Sequence, residues 1–112
     1  MGGTHDVTRK QGGLDKRGER YGFYTPMEFE FDPQKGKLNK AKHGIDFEQA
    51  QELWNDPDSI GFPAKSEDED RYALLAMLNG KLRVVFYTHR DGKIRIISTR
   101  RARNNERKLY ES

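Results

Sequence analysis

An α+β domain is what this sequence predicts: an antiparallel β-sheet with two N-terminal helices packed on one side and a third helix at the C-terminus. Three observations predict it. Two helix signatures stand back to back between Asp32 and Asp56, and three segments rich in apolar and β-branched residues follow between Arg71 and Thr99. Asn79–Gly80 and Asp91–Gly92 separate those segments, and each dipeptide is a strong signal for a two-residue hairpin.

Size and composition bound the rest. A chain of 112 residues holds one domain with one modest core. With 33% hydrophobic and 35% charged residues, its apolar burial must be concentrated in a few segments. The absence of cysteine excludes disulfides, zinc–thiolate sites and a thiol nucleophile, and it suits a reducing compartment. No apolar run is long enough to span a bilayer or to serve as a secretory signal, so a cytoplasmic protein is expected.

Residues Met1 to Pro26 carry six glycines, scattered charges and no periodicity, which predicts a flexible extension ahead of a domain spanning residues 27–112. Met27 offers an alternative start. The upstream segment is then either foreign to the natural chain or the product of a start assigned too early. Glu28 to Phe31 alternates polar and apolar, as a short half-buried strand does. Asp32–Pro33 opens the first helix with a cap and a proline at the first helical position, and His43–Gly44 closes it. Asp46 and Gln49 form a capping-box pattern for the second helix, with Ile45 placed to staple onto Ala50. Phe47, Ala50, Leu53 and Trp54 fall on one face, and Asn55–Asp56–Pro57 ends the helix.

Ser59 to Pro63 reads as a short edge strand, and Lys65 to Asp70 as an acidic loop. The run Glu67–Asp68–Glu69–Asp70 lacks the spacing of metal ligands, so no metal or other cofactor is expected. Arg71–Leu78, Leu82–His89 and Lys93–Thr99 then form a meander. A last helix is expected from about Arg100 to Glu111, capped by Ser98 or Thr99.

Charge is unevenly placed. Asp46 to Asp70 holds nine acidic residues against Lys65 alone, whereas Arg90 to Ser112 holds eight basic residues against three acidic ones. A basic ending suits a polyanionic partner; it is equally compatible with a solvated helix face. Two-residue hairpins sharpen the choice, because they set Thr88 opposite Arg71 on one side and Arg95 on the other. All three side chains then project from one face, below Ala73, Phe86 and Ile97. Two guanidinium groups flanking a hydroxyl can grip a phosphate in bidentate fashion. The alternative is that each arginine reaches water or pairs with the acidic loop. On the predicted last helix, Arg100, Arg103, Arg107 and Tyr110 form a stripe of charge and ring, as an RNA groove requires. His43, beside Lys42 at a helix end, and His89, at a strand end, offer imidazoles for proton transfer; His43 equally suits the helix dipole.

The run Phe31–Asp32–Pro33, with Lys35, Asn39, Lys42–His43–Gly44, Asp46–Phe47–Glu48 and Ala50, resembles the opening of the BrnT toxins. Arg95–Ile96–Ile97–Ser98–Thr99–Arg100–Arg101–Ala102, then Glu106 and Tyr110–Glu111, resembles their ending. The similarity runs from about Met27 to Glu111. The N-terminal extension, Phe31 where tryptophan is frequent, and Gly36 inside the first helix depart from the family pattern. The resemblance implies a RelE-like α+β fold and an RNA-cleaving toxin. It also implies a BrnA-like ribbon-helix-helix antitoxin, which touches operator DNA on the toxin's behalf.

Metal-independent cleavage by 2′-OH attack would then divide the residues as follows. Arg71 and Arg95 hold the phosphate, Tyr110 or His43 transfers protons, Lys42 adds charge, and Glu106 orients an arginine or acts as base. Arg100, Arg101, Arg103, Arg107 and Lys108 track the RNA backbone. Two other classes are compatible with the residues: a non-catalytic nucleic-acid-binding module, and an interaction protein whose basic helix meets an acidic partner.

Overall fold

The computed structural model describes residues 8–10 and 24–112, with side chains from Met27 onward. The first of these, β1 (Thr8–Lys10), pairs antiparallel with β2 (Tyr24–Pro26). The remainder of the extension expected at residues 1–26 lies outside the described residues.

A five-stranded sheet carries the rest of the chain, in the order β3–β7–β6–β5–β4. Its strands are β3 (Phe29–Glu30), β4 (Ile60–Ala64), β5 (Arg71–Leu78), β6 (Lys81–Arg90) and β7 (Lys93–Arg101). Both hairpins form as expected. Asn79, Gly80, Asp91 and Gly92 have φ of 52°, 78°, 53° and 77°, the left-handed pairs that a two-residue turn needs to match strand twist. The sheet is antiparallel except at one edge, where β3 runs parallel to β7, with Phe29 opposite Ile94 and Glu30 opposite Arg95. That pairing is set by the chain entering the domain, not by a hairpin.

Helix α1 (Pro33–His43) starts and stops where its caps dictate. The Asp32 carboxylate accepts from Gln34 N at 2.9 Å, and Gly44, at φ 80°, returns its N–H to Lys40 O. The capping box of α2 (Phe47–Ala50) is complete: Gln49 N donates to Asp46 at 2.7 Å, and Asp46 N donates to Gln49 at 3.0 Å. The second helix tightens sooner than expected, into a 3-10 turn at Gln51–Asn55. Three residues per turn align Ala50 with Leu53 and Gln51 with Trp54, and all four are buried.

Core packing divides between the two faces of the sheet. Ile45, Phe47, Ala50, Leu53 and Trp54 pack on Leu74, Ala76, Val85, Ile94 and Ile96, so α2 and its 3-10 extension cover one face, and α1 lies against β7 on that side. On the other, Ala73, Leu75, Leu82 and Val84 are covered by Phe62, Phe86, Ala102 and Tyr110, which brings in α3 (Asn104–Glu111). Each fully buried leucine or valine contributes roughly 1.5–3 kcal/mol.

The last helix begins later than its sequence signals suggested. Ser98 and Thr99 are not caps; β7 continues through Arg100 and Arg101, which pair with Val84 and Arg83, and Ala102 N still donates to Leu82 O. Arg103 is the residue that precedes the helix. A second departure lies between Phe86 and Tyr87, where the β6–β7 register shifts by one residue. Ile97 is therefore not opposite Phe86; Ser98 is.

Among the described residues, no helix is long and apolar enough to cross a membrane.

Candidate nucleic-acid interface

The arginine row survives because it lies between the second hairpin and the register shift. Thr88 faces Arg95 directly, and the Tyr72–Tyr87 pairing places Arg71 on the other side of Thr88. Thr88 is buried and donates its hydroxyl to Asp70 O at 2.6 Å, so it braces the row and is not free to bind. Carboxylates hold both arginines: Glu69 of the acidic loop, the alternative partner that the sequence offered, and Glu30 of β3, which it did not. Arg71 Nε lies 3.5 Å from Glu69, and Arg95 Nη1 lies 3.4 Å from Glu30. Both contacts are long and partly exposed, the kind that contributes little. Arg71 Nε is buried and makes no hydrogen bond among the described residues.

Beyond the row, the same face is tightly knit. Arg100 donates to both oxygens of Glu106 at 2.8 and 2.9 Å, and its guanidinium lies 5.3 Å from the centre of the Phe86 ring. Glu106 also accepts from Arg103 N at 2.8 Å, which satisfies the first turn of α3. The Arg100 hydrogen bonds hold the Glu106 carboxyl below its ordinary range despite burial, and Glu106 in turn raises Arg100. Tyr110 donates its hydroxyl to Asp56 at 2.6 Å. Asp56 also accepts from Met77 N and Asp58 N. Burial pushes the Asp56 carboxyl up, but these three donors outweigh it and leave it lowered. The Asp56 hydrogen bond, aided by burial, pushes the Tyr110 phenol up to about 12.

The expected helical stripe is broken up by the late helix start. Arg100 lies on β7, Arg103 precedes α3, and only Arg107 and Tyr110 share a helix. Arg101 pairs with Arg83, whose guanidinium reaches α1, so it belongs to the opposite face. Arg103 and Lys108 are exposed, and Arg107 is half-buried.

Lys42 and His43 stand apart from the row, on the α1 side of the sheet. They line a hollow of about 240 Å³ with Lys35, Asn39 and Ser98. Neither side chain has a hydrogen bond or ion pair among the described residues. Asn39, quoted in the sequence reading without a role, ties this corner together. It donates to Ile45 O at 2.9 Å and accepts from Thr99 N at 3.2 Å, so it closes the open edge of β7. His89 is exposed and packs edge-on against Tyr72 and Tyr87, whose rings continue to Trp54. Burial, with Tyr72 adding to it, raises the Tyr87 phenol.

Comparison with known proteins supplies what geometry does not. A family model described as the ribonuclease toxin BrnT of type II toxin-antitoxin systems matches residues 31–106. None of the curated proteins matches the chain.

Proposed function

The chain belongs to the BrnT family of ribonuclease toxins, and on that premise we propose that it cuts messenger RNA without a metal and thereby arrests translation and growth. Family membership implies a protein antitoxin and an RNA substrate. A BrnA-like ribbon-helix-helix antitoxin, with operator DNA reached only through it, is our assignment. So are a RelE-like arrangement of the 27–112 domain, an extension at residues 1–26 that lies outside it, and a cytoplasmic site of action.

The observation that carries the catalytic reading is the row Arg71–Thr88–Arg95. Two guanidinium groups sit across three strands, each held only by a long, half-exposed contact to a carboxylate. A phosphate can replace those carboxylates at small cost, whereas Arg100 would have to surrender two short bonds. Arg71 and Arg95 therefore stabilise the charge that grows on phosphorus as the 2′-OH attacks and the 5′-oxygen leaves. Glu106 serves by orienting Arg100, since both its oxygens are occupied. Tyr110 transfers a proton only after it leaves Asp56. Arg103, Arg107 and Lys108 track the RNA backbone, whereas Arg101 lies on the opposite face and Arg100 is committed to Glu106.

A second reading places cleavage at Lys42 and His43, favoured by an imidazole and an ammonium that line one hollow and are unpaired among the described residues. Induced expression in bacteria separates the two. Wild type should arrest growth and fragment messenger RNA; Arg95→Ala should do neither, and His43→Ala should retain both. The reverse pattern moves the chemistry to α1, and growth without arrest in the wild type removes the toxin reading.

A further inference from the structure

We propose that the hollow between the C-terminus of α1 and the β5–β6 turn is a phosphate-binding site built on Arg83, separate from the Arg71–Arg95 row. The hollow measures about 290 Å³ and is lined by Gly44, Gln49, Glu52, Asn79, Lys81 and Arg83, among others.

Arg83 occupies a position that a strand reserves for the core. It shares a face of β6 with Val85 and Tyr87, and only 5% of its surface is exposed. Buried arginines are ordinarily paired with a carboxylate. Arg83 makes no ion pair among the described residues. One hydrogen bond, from Nη1 to His43 O at 3.0 Å, holds its guanidinium against the end of α1. That bond fixes the group and leaves most of its five donors uncommitted.

The neighbours make the charge harder to explain without an anion. Arg101 lies directly opposite Arg83 across the β6–β7 pair, and like charges in that relation repel. Burial and Arg101 together lower the Arg83 pKa. Lys81 adds a second positive charge to the lining of the hollow. Glu52 is the carboxylate on the lining, and it does not pair with Arg83 or Lys81. A fixed guanidinium with a lysine beside it, in a recess large enough for a tetrahedral oxyanion, is the chemistry that recognises phosphate.

Two sources can deliver that phosphate: the backbone of the RNA substrate, or a free phosphate or mononucleotide. The first rests on the nuclease reading. Arg83 and Thr88 lie five residue steps apart on β6, about 17 Å at strand rise, and their side chains point to opposite faces, so an RNA chain that meets both must pass around the sheet.

Thermal unfolding in inorganic phosphate, against chloride at matched ionic strength, tests the site without requiring turnover. Phosphate at about ten times its dissociation constant should raise the wild-type Tm by about 5 °C. The rise should survive in Arg95→Ala, shrink in Lys81→Gln and vanish in Arg83→Met, which keeps the length of the side chain. No rise in wild type, a rise retained in Arg83→Met, or one lost in Arg95→Ala overturns the proposal. Should Arg83→Met fail to fold, an undiminished rise in Lys81→Gln overturns it instead. Binding of a fully 2′-O-methylated oligoribonucleotide then identifies the source. A log–log salt slope shallower by about 0.7 in Arg83→Met assigns the site to RNA. An unchanged slope, with the phosphate effect lost, assigns it to a free phosphate. A protein that binds phosphate through Arg83 but cuts no RNA would sink the nuclease reading and leave this site standing.

Discussion

The two faces of the sheet treat positive charge in opposite ways. Under α3, Arg71, Arg95 and Arg100 each meet a carboxylate, at 3.5, 3.4 and 2.8 Å respectively. Under α1, Arg83, Arg101 and Lys42 meet none among the described residues. The comparison teaches that pairing strength sorts arginines by role. Arg100, locked to Glu106 and stacked near Phe86, fastens the end of β7 to α3. Arg71 and Arg95, loosely held, are available to a phosphate. Among the described residues no carboxylate pairs with this charge, and Arg83 instead rests on His43 O at the end of α1.

The sharpest way to break this contrast is Arg95→Ala, or Arg71→Ala, with cleavage of a model RNA followed at constant salt. Removing one guanidinium that meets the developing charge should cost about 100-fold or more in rate, with circular dichroism unchanged. Glu106→Ala attacks the other class of pairing. It leaves Arg100 unpaired and one N–H of α3 uncapped, and urea unfolding should show a loss of about 2 kcal/mol.

Tyr110→Phe comes next. It removes one hydrogen bond to Asp56, so stability should fall by about 1 kcal/mol. Cleavage within a few-fold of wild type marks Tyr110 as a latch for α3, and a loss above about 100-fold marks it as a proton carrier. Its pH dependence has a definite sign. The phenol is raised from an ordinary value of 10.0 to about 12, so its contribution is complete below 10 and disappears as pH rises toward 12. Melting of Tyr110→Phe should therefore decline less over that window than wild type. Asp56 and Glu106 act in the opposite sense. Both are lowered from ordinary values of 3.8 and 4.5, so what they add is present above those values and is lost as acid protonates them. The smallest effect belongs to Lys108→Ala. Its charge is exposed and, among the described residues, unpaired, so RNA affinity should weaken uniformly across sequences, the salt slope should drop by about 0.7, and stability should hold within about 0.5 kcal/mol.

How far the sequence reached depended on whether the signal was local. The caps at Asp32, Gly44 and Asp46 act within a few residues, and the structure places each helix start where they stand. The Arg71–Thr88–Arg95 row was legible because Asn79–Gly80 and Asp91–Gly92 fix the register on both sides of β6. Above the row the reading failed, since the register shift opposite Ile97 is marked by no glycine or proline. Ser98 and Thr99 looked like helix caps, but ladder pairing with Phe86 and Val85 outweighs that preference. Glu69 belongs to the acidic loop already offered as an alternative partner, but Glu30 was missed. Glu30 lies 65 residues from Arg95 in sequence and meets it only through the parallel β3–β7 pairing. His43 could not be separated from the row without knowing which face α1 covers. Arg83 was within reach: an arginine alternating with Val85 and Tyr87 on one side of a strand is an anomaly that the pattern itself displays.

Cleavage at a mapped site, in EDTA, of an all-ribose oligonucleotide and its twin with one 2′-deoxyribose at that site tests the central chemistry most directly. The 2′-OH mechanism predicts that the ribose strand is cut to a 2′,3′-cyclic phosphate and that its twin stays intact. Equal cutting of both strands would contradict it.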